Sequence, residues 1–257
     1  SRAFFGQSLP AKQRVSRTEH TAFGFYDREL TKNLRDRKEI FDFAPLESTP
    51  WPDSPPRFRE SLQDHGLACH ELAQRILALC CENLSMAGNS LRHQFEPRHS
   101  SFLRLNYYPV DDPLATEGGP LAGPLGISQH TDAGALTVLL QDEVSGLQVL
   151  RDGDWLDVPP AADCLTVNLG DMLQVWSNDR YQAPLHRVRA SEQVERFSAA
   201  YFFNPDYDCV VQPLPALISP DRPARYRPVH WGEFRQQRAL GDYADYGEEV
   251  QVSHYRI

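Results

Sequence analysis

Two kinds of hydrophobic spacing divide the chain near Pro97. From Phe58 to about Met86, apolar residues recur at helical intervals: Leu62, Cys69, Leu72, Ile76, Leu79 or Cys80, and Leu84. This spacing predicts one long amphipathic helix that ends near Gly88. After Pro97, short apolar runs alternate with turn residues, which is typical of an all-β sandwich or barrel.

The second half of the chain therefore consists mainly of predicted strands. These strands are Ser101–Tyr108, Ile127–Gln141, Gly146–Leu150, Trp155–Val158, Cys164–Asn168, Met172–Trp176, His186–Ala190 and Arg196–Phe203. Val210–Pro215 is predicted to be extended, and Trp231–Leu240 to form a helix. We expect one domain over residues 1–257, with a mostly helical region over 1–96, a β-rich core over 97–210 and a C-terminal extension with a helix over 211–257.

Charged residues dominate one stretch of the N-terminal region, Glu29–Glu39. Runs of mixed charge are usually solvated, so we expect this stretch to lie on the surface.

Composition narrows the class of protein. With 41% hydrophobic residues in 257, the chain has ample material for a core. A net charge of −9 argues against nucleic acid or an anionic membrane as partner. No apolar run is long enough to span a bilayer, the first residues lack a signal-peptide core, and no protein partner is indicated. The five cysteines show no Cys-x-x-Cys spacing, and we expect a reduced, cytoplasmic protein.

Candidate metal ligands occur where one predicted strand begins. His130 and Asp132 are two residues apart, so on a strand they point to the same side. His186, at the start of a later strand, is the best third ligand. Two imidazoles and one carboxylate suit non-haem iron(II) and leave coordination positions open. Structural zinc prefers four ligands, often thiolates, and no cysteine shares this pattern.

A second pair of polar residues begins ten residues after His186. Arg196 and Ser198 also share one side of a predicted strand, and the apolar run after them indicates that this strand is buried. A buried guanidinium needs a partner, and a guanidinium with a hydroxyl can hold a carboxylate.

Together these segments resemble the iron(II)- and 2-oxoglutarate-dependent dioxygenases, in the branch of isopenicillin N synthase and the plant flavonoid and gibberellin oxygenases. The resemblance runs from about Phe4 to Tyr207. The segments that carry it are Asn106-Tyr107-Tyr108-Pro109, His130 to Thr137, Gly146 to Val149, Trp155 to Pro160, Asn168-Leu169-Gly170-Asp171, Trp176-Ser177-Asn178, His186-Arg187-Val188 and Arg196-x-Ser198.

The resemblance implies a mainly β fold with flanking α-helices, a double-stranded β-helix (jelly-roll). It implies that His130, Asp132 and His186 bind iron(II). It also implies that Arg196 and Ser198 hold the distal carboxylate of 2-oxoglutarate, assisted by Tyr108 and Asn106. With O2 as second co-substrate, such an enzyme oxidises an unactivated C–H bond of a small organic molecule and releases succinate.

Two features of the chain differ from that branch. Its members usually begin several dozen residues earlier, so we expect the first residues to correspond to the interior of a longer helical segment. The loop Val110–Gly126 is longer and more acidic than usual, and we expect it to border the pocket as a lid.

Strand alternation yields two candidate substrate residues. Arg104 and Phe202 fall on the inner sides of their strands, if Tyr108 and Arg196 face the metal. Arg104 then either binds an anionic substrate group or is paired with an internal carboxylate; the sequence leaves both open. Phe202 is expected to pack on the substrate.

Hydroxylation is the activity we expect. Desaturation and oxidative ring closure use the same residues and remain alternatives. An oxidase that does not use 2-oxoglutarate is a further alternative. The alternative that is not an enzyme is a jelly-roll protein that binds ligands or partners without catalysis.

Overall fold

The computed structural model describes residues 1–18, 20–114, 125–241, 244–245 and 247–257. Its α-helices are α1 Arg2–Phe5, α2 Leu9–Gln13, α3 Phe58–Asn83, α4 Asp171–Trp176 and α5 Trp231–Gly241. Short 3-10 helices span Arg92–Phe95, Pro215–Leu217 and Val252–Tyr255. The predicted long helix and the predicted C-terminal helix are thus confirmed as α3 and α5. Of the two alternatives for the apolar face of α3, Cys80 is partly buried and Leu79 is exposed.

Fourteen strands are present in the described residues. In chain order they are β1 Gly24–Tyr26, β2 Leu30–Thr31, β3 Leu34–Arg35, β4 Glu39–Phe43, β5 Phe102–Tyr108, β6 Leu125–His130, β7 Leu136–Gln141, β8 Leu147–Arg151, β9 Asp154–Asp157, β10 Thr166–Leu169, β11 His186–Arg189, β12 Arg196–Phe203, β13 Val210–Val211 and β14 Val229–His230.

Two antiparallel sheets form the body of the fold. The larger has six strands in the order β1-β4-β5-β12-β7-β10, and the smaller has four in the order β6-β11-β8-β9. Residues of both sheets line one cavity, so the sheets face each other across it. Helix α3 packs against β5, β7 and β12 on the outer side of the larger sheet.

The alternation of side chains on β5 and β12 decides what lies on each side of the larger sheet. On β12, Phe197, Tyr201 and Phe203 belong to the apolar core beneath α3, while Arg196 and Ser198 line the cavity. Both sides of β12 are buried, which explains why most of its residues are apolar. The structure also agrees with the prediction that Arg196 and Ser198 share one side of this strand.

Two predicted strands differ in the structure. Met172–Trp176 was predicted as a strand but forms helix α4. The prediction failed because a short apolar run that is buried on all sides has no periodicity that distinguishes a helix from a strand. The predicted strand Ile127–Gln141 is divided into β6 and β7, which belong to different sheets.

The N-terminal region is less helical than expected. Residues 24–43 contribute four strands, and β1 and β4 extend the larger sheet as its edge. The region 1–96 is therefore a mixture of helices and strands. One cluster of buried apolar side chains contains residues from Phe4 to Phe234, which supports the single-domain proposal.

The expectation of a solvated charge run over Glu29–Glu39 was wrong. Glu29, Asp36, Lys38 and Glu39 are each at most 5% exposed. Lys38 Nζ lies 2.6 Å from Glu29 and 3.0 Å from Asp36, and Lys12 Nζ lies 2.5 Å from Glu39. Burial is tolerated because each charge has an opposite charge beside it, and sequence spacing does not show such pairs.

Part of the predicted lid lies outside the described residues, since 115–124 are not among them. No helix within the described ranges is both long and apolar enough to cross a membrane.

Candidate iron and co-substrate site

His130, Asp132 and His186 meet in the cavity between the two sheets. Oδ1 of Asp132 lies 3.7 Å from Nε2 of His130 and 3.6 Å from Nε2 of His186. The three candidate ligand atoms all lie within 4.8 Å of one another. The predicted convergence is present, and it is the separation that atoms around a single metal ion require.

The backbone brings these residues together in a way that strand alternation alone did not predict. His130 is the last residue of β6 and is the direct cross-strand partner of His186, the first residue of β11. Asp132 lies beyond the end of β6, in the connection to β7. The two histidines are therefore positioned by strand pairing, and the carboxylate by the turn that follows.

Hydrogen bonds select the ring nitrogen that each histidine presents. Nδ1 of His130 lies 2.8 Å from the carbonyl oxygen of Ser128, and Nδ1 of His186 lies 3.0 Å from that of Pro184. A carbonyl oxygen only accepts, so both Nδ1 atoms carry the proton and both Nε2 atoms offer a lone pair. Burial and the neighbouring His186 keep the pKa of His130 well below its usual value, which favours this neutral form.

Asp132 is oriented by two donors on its other oxygen. Oδ2 accepts hydrogen bonds from Thr137 Oγ1 at 2.5 Å and from Asn168 Nδ2 at 2.7 Å. Burial opposes ionisation here, but the imidazoles of His186 and His130 and these two donors outweigh it, so the pKa of Asp132 lies below its usual value. The carboxylate is thus ionised, with Oδ1 facing the two imidazoles.

Arg196 occupies another part of the same cavity. Its side chain is 1% exposed, yet no carboxylate of the described residues lies within ion-pair distance of it. Nη2 donates to Oε1 of Gln141 at 2.9 Å and Nε donates to the carbonyl of Val144 at 3.2 Å, while Nη1 has no partner. A buried guanidinium with an unused N–H group can bind a carboxylate that enters the cavity.

Ser198, Asn106 and Tyr108 line the same cavity as Arg196, on the sides of their strands that alternation predicts. Asn106 Nδ2 donates to Oγ of Ser198 at 3.3 Å, which leaves the hydroxyl hydrogen of Ser198 able to donate elsewhere. The guanidinium carbon of Arg196 lies 5.0 Å from the centre of the Tyr108 ring. A side chain on Gly126 would meet that ring, since a Cβ there would lie 2.6 Å from Cδ1 of Tyr108.

The comparisons with known proteins agree with this donor set. The model of the 2OG-Fe(II) oxygenase superfamily matches residues 99–205. Jasmonate-induced oxygenase 4 of Arabidopsis thaliana is 33% identical over 245 residues, which cover 91% of this chain and 67% of that protein. The chain belongs to the 2OG-Fe(II) oxygenase superfamily.

Other relatives of this oxygenase extend the comparison. Gibberellin 2-beta-dioxygenase 5 of Oryza sativa subsp. japonica is 36% identical over 211 residues, which cover 81% of this chain and 59% of that protein. The crystal structure of JOX2 in complex with 2OG, Fe and JA superposes with a TM-score of 0.84 at 30% identity, covering 99% of this chain and 75% of that one. The predicted jelly-roll fold, the iron and the 2-oxoglutarate dependence are thereby confirmed.

Arg104 lines the cavity of the oxygenase, but its charge is already compensated. Its Nε and Nη2 donate to the two oxygens of Asp42 at 2.9 and 2.8 Å, and Nη1 donates to Glu29 at 2.8 Å. The internal-carboxylate alternative left open by the sequence is therefore the one found. Phe202 lines the cavity as expected and stacks on Phe102, with ring centres 4.8 Å apart.

Several residues of the oxygenase site were missed from the sequence. Gln141 and Val144 anchor Arg196, and Leu30 and Thr31 reach the cavity from the N-terminal region. The C-terminal helix and tail contribute a further group of lining residues: Trp231, Arg235, Arg238 and Glu249. Only Asn168 and Thr137 could have been recognised from the sequence, because both lie in segments that carry the family resemblance. The other residues come from distant parts of the chain.

Proposed function

We propose that this oxygenase hydroxylates an unactivated C–H bond of a small organic molecule. His130, Asp132 and His186 bind iron(II), and Arg196 with Ser198 binds the distal carboxylate of 2-oxoglutarate. The observation that carries the proposal is the buried Arg196 guanidinium, which has an unpaired Nη1 in the same cavity as the histidine–carboxylate triad. Burial of the Arg196 guanidinium and the Asp132 carboxylate, with no oppositely charged partner among the described residues except the two histidines, costs stability. A non-catalytic jelly-roll would gain nothing in return.

The residues present fit iron(II) and a 2-oxo acid. Two Nε2 lone pairs and Oδ1 of Asp132 are the unused donors of the triad, and three facial donors leave positions for co-substrates. When bound, iron with 2-oxoglutarate and O2 supplies the oxidising power, and 2-oxoglutarate is converted to succinate.

The chain's own residues supply orientation. Ser128 and Pro184 fix the two imidazole rings through their carbonyls, and Thr137 with Asn168 fixes the carboxylate. Such supporting hydrogen bonds hold metal ligands in the tautomer and rotamer that binding requires.

The other end of 2-oxoglutarate is held by a similarly supported group. Gln141 and the carbonyl of Val144 restrain the guanidinium of Arg196 from one side, and the Tyr108 ring covers it. The hydroxyl hydrogen of Ser198 is free to donate to a carboxylate beside the guanidinium.

The cavity supports a small molecule as substrate. Its volume is about 400 Å³, and the 2-oxo acid occupies part of it. Two relatives support a substrate of the same size class: Gibberellin 2-beta-dioxygenase 5, and JOX2, which was crystallised with JA.

Anaerobic addition of iron(II) and 2-oxoglutarate tests the proposal. The expected result is a metal-to-ligand charge-transfer absorption in the wild type that Arg196→Gln weakens by raising the Kd for 2-oxoglutarate. Arg187→Gln is the matched control, because Arg187 lies on β11, stacks on Trp155 and does not line the cavity. Absence of the band, or of succinate when O2 is admitted, would remove the assignment.

A further inference from the structure

The positive charges around the cavity point to a second anion-binding position. Five Lys or Arg side chains of the described residues line it: Lys38, Arg104, Arg196, Arg235 and Arg238. What matters for ligand binding is which of these charges the protein itself already compensates.

Two of the five are compensated by carboxylates of the N-terminal region. Lys38 Nζ lies 2.6 Å from Glu29 and 3.0 Å from Asp36. Arg104 binds Glu29 and Asp42. All three carboxylates are at most 3% exposed, so these pairs are fixed parts of the cavity wall.

A third cation is compensated by the C-terminal tail. Arg238 Nε lies 2.9 Å from Oε1 of Glu249, and both side chains are 12% exposed. Arg196 and Arg235 remain, and within the described residues neither has a carboxylate within 4.0 Å. Arg196 is the residue proposed to bind 2-oxoglutarate, which leaves Arg235 as a half-buried guanidinium with no ion pair to any carboxylate in the described part of the chain.

Arg235 lies at the opposite end of the cavity from Arg196. Its guanidinium carbon is 5.4 Å from the centre of the Phe102 ring, and Phe102 stands opposite Phe202 in the pairing of β5 with β12. Phe202 is six residues along β12 from Arg196, which corresponds to about 20 Å of strand. One 2-oxoglutarate molecule cannot engage both guanidinium groups.

The surface next to Arg235 is apolar. The rings of Phe102 and Phe202 stack with centres 4.8 Å apart and an interplanar angle of 27°, and both line the cavity. A ligand whose anionic group pairs with Arg235 therefore has two stacked aromatic rings beside that position for its apolar part.

We propose that the substrate is an organic carboxylate whose carboxylate pairs with Arg235 and whose apolar body lies on Phe102 and Phe202. The proposal rests on the function proposed above and names the substrate class for the same cavity. Arg235 then selects for charge, while the aromatic pair holds the part of the molecule that is oxidised.

Matched acids and amides test this assignment. The probes are 3-phenylpropanoate, cyclohexylacetate and decanoate, each against its primary amide, added anaerobically to protein loaded with iron(II) and 2-oxoglutarate. Binding is followed by the change in charge-transfer absorption and by the thermal unfolding midpoint. We expect the best acid to bind about tenfold or more tightly than its amide, the usual contribution of a hydrogen bond to a charged group.

Two variants locate the effect. Arg235→Gln is expected to remove the preference for acid over amide, whereas Arg75→Gln, an exposed cation on α3 outside the cavity, retains it. If the wild type shows no charge-transfer band with iron(II) and 2-oxoglutarate, the result counts against the proposed function. A normal band with equal binding of acid and amide, with no binding of any acid, or with an unchanged preference in Arg235→Gln overturns the assignment of Arg235. The wild-type comparison stands even if the variant fails to fold.

Discussion

Thr137 donates a 2.5 Å hydrogen bond to Oδ2 of Asp132, and this leaves Oδ1 as the carboxylate oxygen that faces His130 and His186. Thr137→Val removes the donor with little change in shape. Because such supporting bonds orient a ligand, we expect iron(II) to bind about 10- to 100-fold more weakly in an anaerobic titration.

The control for this prediction is Thr49→Val, since Oγ1 of Thr49 has no hydrogen-bond partner among the described residues. Equal iron affinity in Thr137→Val and Thr49→Val would show that the carboxylate is held by other means.

Gly126 is close to the Tyr108 ring that covers Arg196. A Cβ at position 126 would lie 2.6 Å from Cδ1 of Tyr108, whose side chain is 2% exposed and has little room to move. Gly126→Ala is expected to lower the free energy of unfolding by about 1–3 kcal/mol and to raise the Kd for 2-oxoglutarate. Gly66→Ala, where the nearest side-chain atom would be 3.7 Å away, is the control. An unchanged 2-oxoglutarate Kd would contradict the role given to Tyr108.

Lys38 compensates two buried carboxylates, Glu29 and Asp36. Lys38→Met leaves both acids without that cation, so we expect a loss of about 3–5 kcal/mol in the free energy of unfolding, measured in urea. Lys32→Met makes the same replacement at an exposed position a few residues away. Similar stabilities of the two variants would mean that water or rearrangement satisfies the acids.

Glu249 connects the C-terminal tail to the β2–β3 hairpin over the cavity. It lies 2.9 Å from Nε of Arg238 and accepts a 3.0 Å hydrogen bond from the backbone N–H of Lys32. Glu249→Gln weakens both contacts, so hydrogen exchange at the Lys32 amide is expected to accelerate about tenfold. Glu248→Gln, an exposed neighbour, is the control. Unchanged exchange would exclude this link as a restraint on the hairpin.

His99 should make stability depend on pH. Burial, together with the neighbouring His70, lowers the pKa of His99 to about 4 in the folded protein, against about 6.5 in an unfolded chain. Between these values the unfolded chain binds the extra proton, so stability falls as the pH decreases from about 6.5 to about 4 and this contribution is constant below that.

His99→Gln is expected to make the decline shallower in urea unfolding measured from pH 7 to pH 4. His93→Gln, at an exposed position, should follow the wild type. An identical decline in His99→Gln would assign the pH dependence to other groups.

The sequence predicted those parts of the molecule that depend on local spacing. The cavity-facing side chains of β5 and β12 follow from alternation on strands whose two sides are both covered. His130 and Asp132 follow from two ligand types at short spacing, and His186 was the best third candidate from a later strand. Its failures have a common physical origin. The charges of Glu29–Glu39 are buried because partners such as Arg104 come from elsewhere in the chain. That no carboxylate of the described ranges pairs with Arg235 is recognisable only once the surroundings of this side chain are known.

Asp132 and the Met172–Trp176 segment show a second limit. The sequence predicted Asp132 on a strand beside His130, whereas it lies in the turn to β7, and the ligands still converge. Met172–Trp176 is apolar at nearly every position, so the choice of helix over strand is made by packing in the main apolar core, to which four of its five residues belong.

The cross-strand pairing of His130 with His186 has a consequence for assembly. The two imidazoles become neighbours only when β6 and β11 pair in this register, and a slip of one residue would turn His186 to the other side of its strand. A misregistered chain keeps Asp132 and His130 but loses the third donor. Tight iron binding therefore indicates that β6 and β11 have paired in the native register. The metal centre thus reports on correct folding of the smaller sheet in addition to its role in catalysis.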